Sequence, residues 1–173
     1  VREASAADAD KLHGPPVKCG VVGLGPWGRE IIATLSRLPE AEVAAICDTY
    51  PAMLRRSANA APKAEPVDDY RKLLENKDIK AIIVATPTHQ HKEIALAALQ
   101  AGKHVYCEAP LANSIENARA IAQAASKAPQ LVFQSGLQMR SDPQRHFLLK
   151  FIRSGAMGKP VKARGQWHKK QSW

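Results

Sequence analysis

Gly23, Gly25 and Gly28 stand in the stretch GLGPWG, a G-x-G-x-x-G spacing. Asp48 follows about twenty residues later, the offset at which a dinucleotide fingerprint places its acid. Each residue type suits one task. Glycine at the first position permits a tight turn, at the second it lets backbone approach a pyrophosphate, and at the third it lets a helix pack on a strand. A helix opening at this point offers its N-terminal N–H groups and dipole to negative charge. Asp48 can accept hydrogen bonds from an adenosine ribose, and its charge repels a 2′-phosphate, which favours NAD over NADP. Thr49, Arg55 and Arg56 lie close enough in sequence to accommodate that phosphate, so NADP stays open. Leu24, Pro26 and Trp27 complete the turn and belong to the same cofactor-facing set.

The spacing acquires weight from the elements around it. VKCGVVG is an apolar run of strand length, and WGREIIATLSRL places Ile31, Ile32, Leu35 and Leu38 on one helical face. EVAAICD reads as a second buried strand ending at Asp48. PAMLRRSANAA reads as a helix with proline in its first turn, and DDYRKLLEN as a short capped helix. AIIVATP is a third buried strand. HKEIALAALQAG is a helix with Ile94, Ala97, Ala98 and Ala101 on one face, stopped by Gly102. HVYCE is a fourth strand, SIENARAIAQAASK a helix opened by Ser114, and QLVFQSG a fifth strand. Continuous apolar strands alternating with helices indicate an α/β fold, a parallel sheet covered on both faces. Right-handed crossovers make it a doubly wound, Rossmann-type sheet over residues 17–140.

Pro87 cannot continue a central ladder, so ATPTHQHKE must leave the sheet at its carboxyl end, where ligands of open α/β sheets bind. Thr86, Pro87 and Thr88 are expected to line the nicotinamide side of the crevice, with His89 and His91 starting the next helix. His91 is the one titratable side chain placed to act there as cofactor neighbour or as acid and base; surface or capping decoration is the ordinary alternative. After Gly136 the texture changes. DPQRHFLLKFIRSGAMGKP reads as an amphipathic helix in which Asp142 caps the N-terminus, and VKARGQWHKK alternates like an antiparallel strand with one wet face. One strand cannot bury its apolar face alone, so residues 141–173 are expected to be a linking helix and the first strand of an incomplete second domain. Trp167 and His168 sit on that strand, in ordinary sheet packing or facing a sugar.

Composition narrows the classes. The chain has 173 residues, 45% hydrophobic and 24% charged, which are globular proportions. Its net charge of +9 is spread along the chain, and aromatics reach only 5%, without the basic and aromatic interleaving that stacks bases. Nucleic acid is therefore not an expected partner, and no apolar run is long enough to cross a membrane. Cys19, Cys47 and Cys107 lie in apolar runs without CxxC spacing, so neither a metal site nor a disulfide framework is expected. VREASAADADKLHG, within residues 1–16, reads as a flexible lead-in. The compartment stays open: cytoplasmic by default, periplasmic if an export signal has been removed.

The stretches GVVGLGPWG, EVAAICD, DYRKLLENKDIKAIIVATPTHQHKEIALAALQAGKHVYCE and RSDPQRHFLLKFIRSGAMGKP together resemble the glucose–fructose oxidoreductase and inositol dehydrogenase family, the Gfo/Idh/MocA group. The resemblance spans nearly all of residues 17–160. It implies an N-terminal nucleotide-binding domain, and a C-terminal α/β domain whose open sheet carries most of a sugar or polyol site and the usual homo-oligomer interface. It also implies dehydrogenation of a CH–OH group. The family's triplet after the fourth strand is Glu-Lys-Pro, its lysine typically touching the nicotinamide ribose and the reacting hydroxyl. Here the triplet is Glu108-Ala109-Pro110. A methyl group has no proton to exchange, while Pro110 still biases residue 109 to an extended shape, so Glu108 and Ala109 keep a place beside the cofactor without that chemistry. Three consequences stay open: another base, His91 or a group in the second domain; glycoside cleavage by transient oxidation, as in the NAD-dependent glycosidases similar to this group; or cofactor binding without turnover. Arg140, in the loop after the fifth strand, is positioned to contact the cofactor or an anionic substrate group, or to form an exposed salt bridge.

Overall fold

The computed structural model describes residues 14–166. In order these form β1 (Val17–Val22), α1 (Pro26–Leu35), β2 (Ala41–Cys47), α2 (Pro51–Ala58), β3 (Glu65–Val67), α3 (Tyr70–Glu75) and β4 (Ala81–Val84). There follow α4 (Thr88–Gln100), β5 (His104–Glu108), α5 (Ile115–Ser126), β6 (Phe133–Gly136), a 3-10 turn (Gln138–Ser141) and α6 (Pro143–Arg153). The strands pair in parallel in the order β3-β2-β1-β4-β5-β6. The order reverses between β1 and β4, and at such a switch point the loops at the strands' carboxyl ends diverge and leave a crevice.

Alternation along each strand sends successive side chains to opposite faces, and two cores result. Val22, Ile82, Val84, Val105 and Cys107 pack with Ile94, Ala98 and Ile121 from α4 and α5. Val21, Ile46 and Ile83 pack with Leu24, Ile32, Met53 and Leu54 around α1 and α2. Burying each Ile, Leu or Val contributes on the order of 1.5–3 kcal/mol, which is why these alternating positions and not the loops fix the register. Asp69, Ser114 and Asp142 cap α3, α5 and α6 by accepting the N–H of Arg71, Asn117 and Gln144 at 2.9, 3.1 and 2.9 Å. Gly102 ends α4 at φ 72°, a conformation that disfavours a Cβ.

Several expectations need correction. β3 was not anticipated: three residues with Pro66 at the centre are too short and too poor in N–H donors to read as a strand, yet β2 pairs with them at the sheet edge. Leu38 lies beyond the end of α1 and is 46% exposed, so it does not join the face of Ile31, Ile32 and Leu35. The buried face of α4 is His91, Ile94, Ala95, Ala98 and Leu99, with Ala97 half-buried and Ala101 exposed. The helix is turned by about one residue from the expected stripe because it must lie against the β4–β5 sheet face and α5 together. Residues 161–166 form no strand: a lone strand has no partner to take its hydrogen bonds. Trp167 and His168, with the rest of that expected strand, lie outside the described residues, as do residues 1–13 of the expected lead-in.

The chain divides into two compact units, one ending at Gly136 and the other beginning at Leu137. The second contains the 3-10 turn and α6, along which Phe147, Leu148, Phe151 and Ile152 are exposed. Among the described residues no helix is long and apolar enough to cross a membrane, and no His, Cys, Asp and Glu cluster could hold a metal ion.

Candidate dinucleotide site

The turn from β1 into α1 is built by the three glycines, each for a different reason. Gly23 sits at φ 94°, and a Cβ there would stand 2.6 Å from the Ala85 carbonyl carbon and oxygen and 2.7 Å from the Thr86 nitrogen. Gly28 is buried, and a Cβ on it would overlap the Gly23 carbonyl oxygen, so α1 rests directly on the turn. Gly25 has nothing within 4 Å of its Cβ position and an ordinary φ of −59°. The fold therefore does not need glycine at position 25; the open space above the helix end does.

That helix end receives anions well. No side chain caps it, no acidic residue lies in its first turn, and Pro26 begins it, where a missing N–H loses no helical bond. Leu24 is fully buried and anchors the turn from below, while Trp27 is 48% exposed at its rim. Asp48 stands across from the turn at the end of β2. Its Oδ2 accepts the Leu24 N–H at 2.9 Å and its Oδ1 the Tyr50 N–H at 2.9 Å. Each oxygen keeps a further lone pair, so the carboxylate is oriented and still able to accept from ribose hydroxyls. Arg55 and Arg56 are exposed on α2.

Across the switch point lie the turns after β4 and β5. Pro87 is exposed, Thr88 opens α4, and the Thr86 hydroxyl is buried without a hydrogen-bond partner among the described residues. His91 is 1% exposed. Its Nε2 lies 2.8 Å from the Thr86 carbonyl oxygen and its Nδ1 3.1 Å from that of Pro110. Ala109 is exposed, and its N–H donates to Glu108 Oε2 at 3.1 Å. Tyr106, which sequence reasoning missed, donates its hydroxyl to Glu108 Oε1 at 2.7 Å; burial first, and this bond second, push its phenol far up from the ordinary range. The signal was available, since positions 106 and 108 share a strand face. Gly136 on β6 makes room for the pair, because a Cβ there would stand 2.8 Å from Tyr106 Oη and 2.9 Å from Glu108 Oε2.

The structure thus has Gly23, Leu24, Gly25, Pro26, Trp27, Gly28 and Asp48 on one side of the switch point, and on the other Thr86, Pro87, Glu108 and Ala109 at or just after strand ends with Thr88 and His91 in the first turn of α4. Arg140 belongs to the second unit, exposed in the 3-10 turn, where its carbonyl oxygen lies 2.6 Å from His146 Nε2. A shallow groove of about 510 Å³ along α4 and α5, lined by His89, Leu96, Gln100 and Asn117 among others, shares no residue with the crevice.

The sheet order, the glycine turn and the oriented acid define an NAD-binding Rossmann domain. The profile of the Gfo/Idh/MocA oxidoreductase family, described as an oxidoreductase family with an NAD-binding Rossmann fold, matches residues 17–135, and the chain belongs to that family. It is 30% identical over 152 residues to the inositol 2-dehydrogenase of Salmonella paratyphi B, covering 87% of this chain and 45% of that protein. A scyllo-inositol dehydrogenase from Lactobacillus casei, crystallised with NAD(H) and scyllo-inositol, superposes with a TM-score of 0.76 at 29% identity, over 83% of this chain and 42% of that one. A lysine-to-alanine variant of KijD10, a 3-ketoreductase from Actinomadura kijaniata crystallised with TDP-benzene and NADP, superposes with a TM-score of 0.74 at 29% identity, over 83% and 46% of the two chains. The chain spans less than half the length of these relatives.

Proposed function

We propose that this chain is the nucleotide-binding domain of an oxidoreductase that acts on the CH–OH group of a sugar, polyol or related compound. The observation that carries the reading is the combination of an uncapped helix end with open space over Gly25, facing a carboxylate already oriented by the Leu24 and Tyr50 amides. When bound there, a nicotinamide dinucleotide supplies hydride acceptance and return. The chain's own residues bind and orient. Gly25 and the α1 N-terminus take the pyrophosphate, Asp48 takes the adenosine ribose and favours NAD over NADP, and Thr86 and the Glu108–Ala109 turn flank the nicotinamide ribose. Inositol-acting relatives support a polyol substrate.

Ala109 has no proton to give or take, so the base for the substrate hydroxyl comes from another group. The buried His91, both of whose nitrogens face backbone carbonyls, serves better as a support than as that base. A nucleotide-binding domain over residues 17–140 and the start of a second domain over 141–173, a limit four residues beyond the division at Gly136, complete the reading, with a homo-oligomer built through the second domain and no role for nucleic acid or membrane.

Ala109 also favours a second reading, glycoside cleavage through transient oxidation with no net redox change. Incubating the natural full-length protein with NAD and either free polyols or aryl glycosides separates the two. Accumulating NADH from polyols supports the dehydrogenase; glycoside cleavage without NADH supports the alternative. Neither NAD nor NADP binding in a calorimetric titration would sink both.

A further inference from the structure

The turns after β4 and β5 come from separate crossovers. Ladder pairing between the two strands ends at Val84 and Cys107, before either turn begins. The side chain that joins them is His91. Its Nε2 meets the Thr86 carbonyl and its Nδ1 the Pro110 carbonyl, 19 residues away in sequence. An imidazole is rigid, so it fixes the spacing of two oxygens in a way that a long flexible amide cannot. Both oxygens are acceptors: a neutral ring donates to one of them, and a doubly protonated ring to both. A histidine serving only as filler on the apolar face of α4 would not need a polar partner at each nitrogen.

A second observation points toward a ligand. The residue whose carbonyl His91 holds is Thr86, and the Thr86 hydroxyl is buried without a hydrogen-bond partner among the described residues. The main chain of this residue is fixed, while its hydroxyl has no partner among the described residues. The adenosine end is served elsewhere, by Gly25, α1 and Asp48, and the Asp48 carboxylate is oriented by Leu24 and Tyr50 without His91.

We propose that His91 is a positioning residue for the nicotinamide half of the dinucleotide: seated between the Thr86 and Pro110 carbonyl oxygens, and donating to one of them as the neutral ring or to both as the imidazolium, it sets where the Thr86 hydroxyl and the Ala109 turn stand. This rests on the reading that the chain binds a nicotinamide dinucleotide. It separates the two halves of the ligand, since His91 governs one and the glycine turn governs the other.

The test is a titration of the unaltered protein, His91→Phe and Thr86→Val with NAD and with ADP, which shares only the adenosine diphosphate half. His91→Phe is expected to weaken NAD by about tenfold or more and to leave ADP within about twofold. Thr86→Val, which keeps the ring in place, is expected to weaken NAD by roughly three- to tenfold with ADP unchanged, the effect of losing one hydrogen bond. A parallel loss of both ligands in His91→Phe would reduce His91 to a general support of the fold and overturn the proposal. Unchanged NAD affinity in Thr86→Val would overturn it as well, even if His91→Phe failed to fold. Binding of neither ligand by the unaltered protein would instead refute the dinucleotide reading, and this proposal with it.

Discussion

Asp48 Oδ2 accepts the Leu24 N–H at 2.9 Å, so the acid that ends β2 holds the glycine turn in place before any ribose reaches it. With Oδ1 on the Tyr50 N–H, one carboxylate joins the ends of two strands and the start of α2. Asp48→Ala removes both bonds and is expected to destabilise the domain by about 1–3 kcal/mol, seen as a lower Tm, because backbone donors lose a charged acceptor. NAD and ADP affinity should fall together, opposite to the pattern expected for His91. An unchanged Tm would show that the two backbone bonds contribute nothing.

Gly25 and Gly28 should respond differently to the same methyl group. Gly28→Ala drives a Cβ into the Gly23 carbonyl oxygen, and overpacking of that kind costs about 1–3 kcal/mol or more. Gly25→Ala meets nothing, so its stability should stay within about 0.5 kcal/mol of the unaltered protein. Its NAD affinity should nevertheless fall by roughly tenfold, about 1.4 kcal/mol, because the methyl occupies the path of the pyrophosphate. Thermal unfolding and calorimetry on the two variants check this contrast.

The three buried free cysteines are expected to make the protein sensitive to alkali. Burial raises the Cys19 thiol from 9.0 to about 11. Burial, followed by the charge of Asp48 or Glu108, raises Cys47 and Cys107 to about 12. Above pH 9 the unfolded chain loses these protons while the folded one keeps them up to about 11 at Cys19 and about 12 at Cys47 and Cys107, so the folded state binds more protons and stability falls as pH rises. Their contribution is fully present below pH 9. Denaturant midpoints followed across this range should decline, and iodoacetamide at pH 8 should label the thiols only after unfolding. Rapid labelling of the native protein would contradict the burial.

Ala109 is exposed, so Ala109→Lys should leave stability within about 0.5 kcal/mol. In the natural full-length protein it is expected to preserve NAD binding and to raise polyol-dependent NADH formation, by supplying an ammonium beside the reacting hydroxyl. A rise in Kd for NAD without any gain in turnover would count against that placement. Steady-state rates with inositol as the probe substrate provide the measurement.

Much of this architecture could be read from the chain because apolar continuity and helix punctuation repeat at the right lengths. The five longer strands, the caps at Ser114 and Asp142 and the glycine turn beside Asp48 all announce themselves within a few residues. β3 does not, because its pairing comes from β2 rather than from its own composition. The two contacts of His91 were hidden for a related reason. The apolar stripe expected at Ile94, Ala97, Ala98 and Ala101 did not include His91, whose burial follows from how the helix lies on the sheet, and its partner Pro110 arrives through the folding of a different crossover. The Tyr106–Glu108 bond was half legible: strand alternation aligns the two residues, whereas the room for them depends on Gly136 from the neighbouring strand.

Pro66 gives the short strand β3 one more consequence. Val67 turns its carbonyl inward to the Asp48 N–H at 3.3 Å, so Pro66, one residue earlier, turns its backbone outward. The outer rim of the sheet at that point presents a carbonyl and no N–H. A further strand, from another copy or from an unfolded neighbour, would find no donor at the centre of β3. On this side a single ring removes the donor that a neighbouring strand would need at the centre of β3, which disfavours growth of the sheet there.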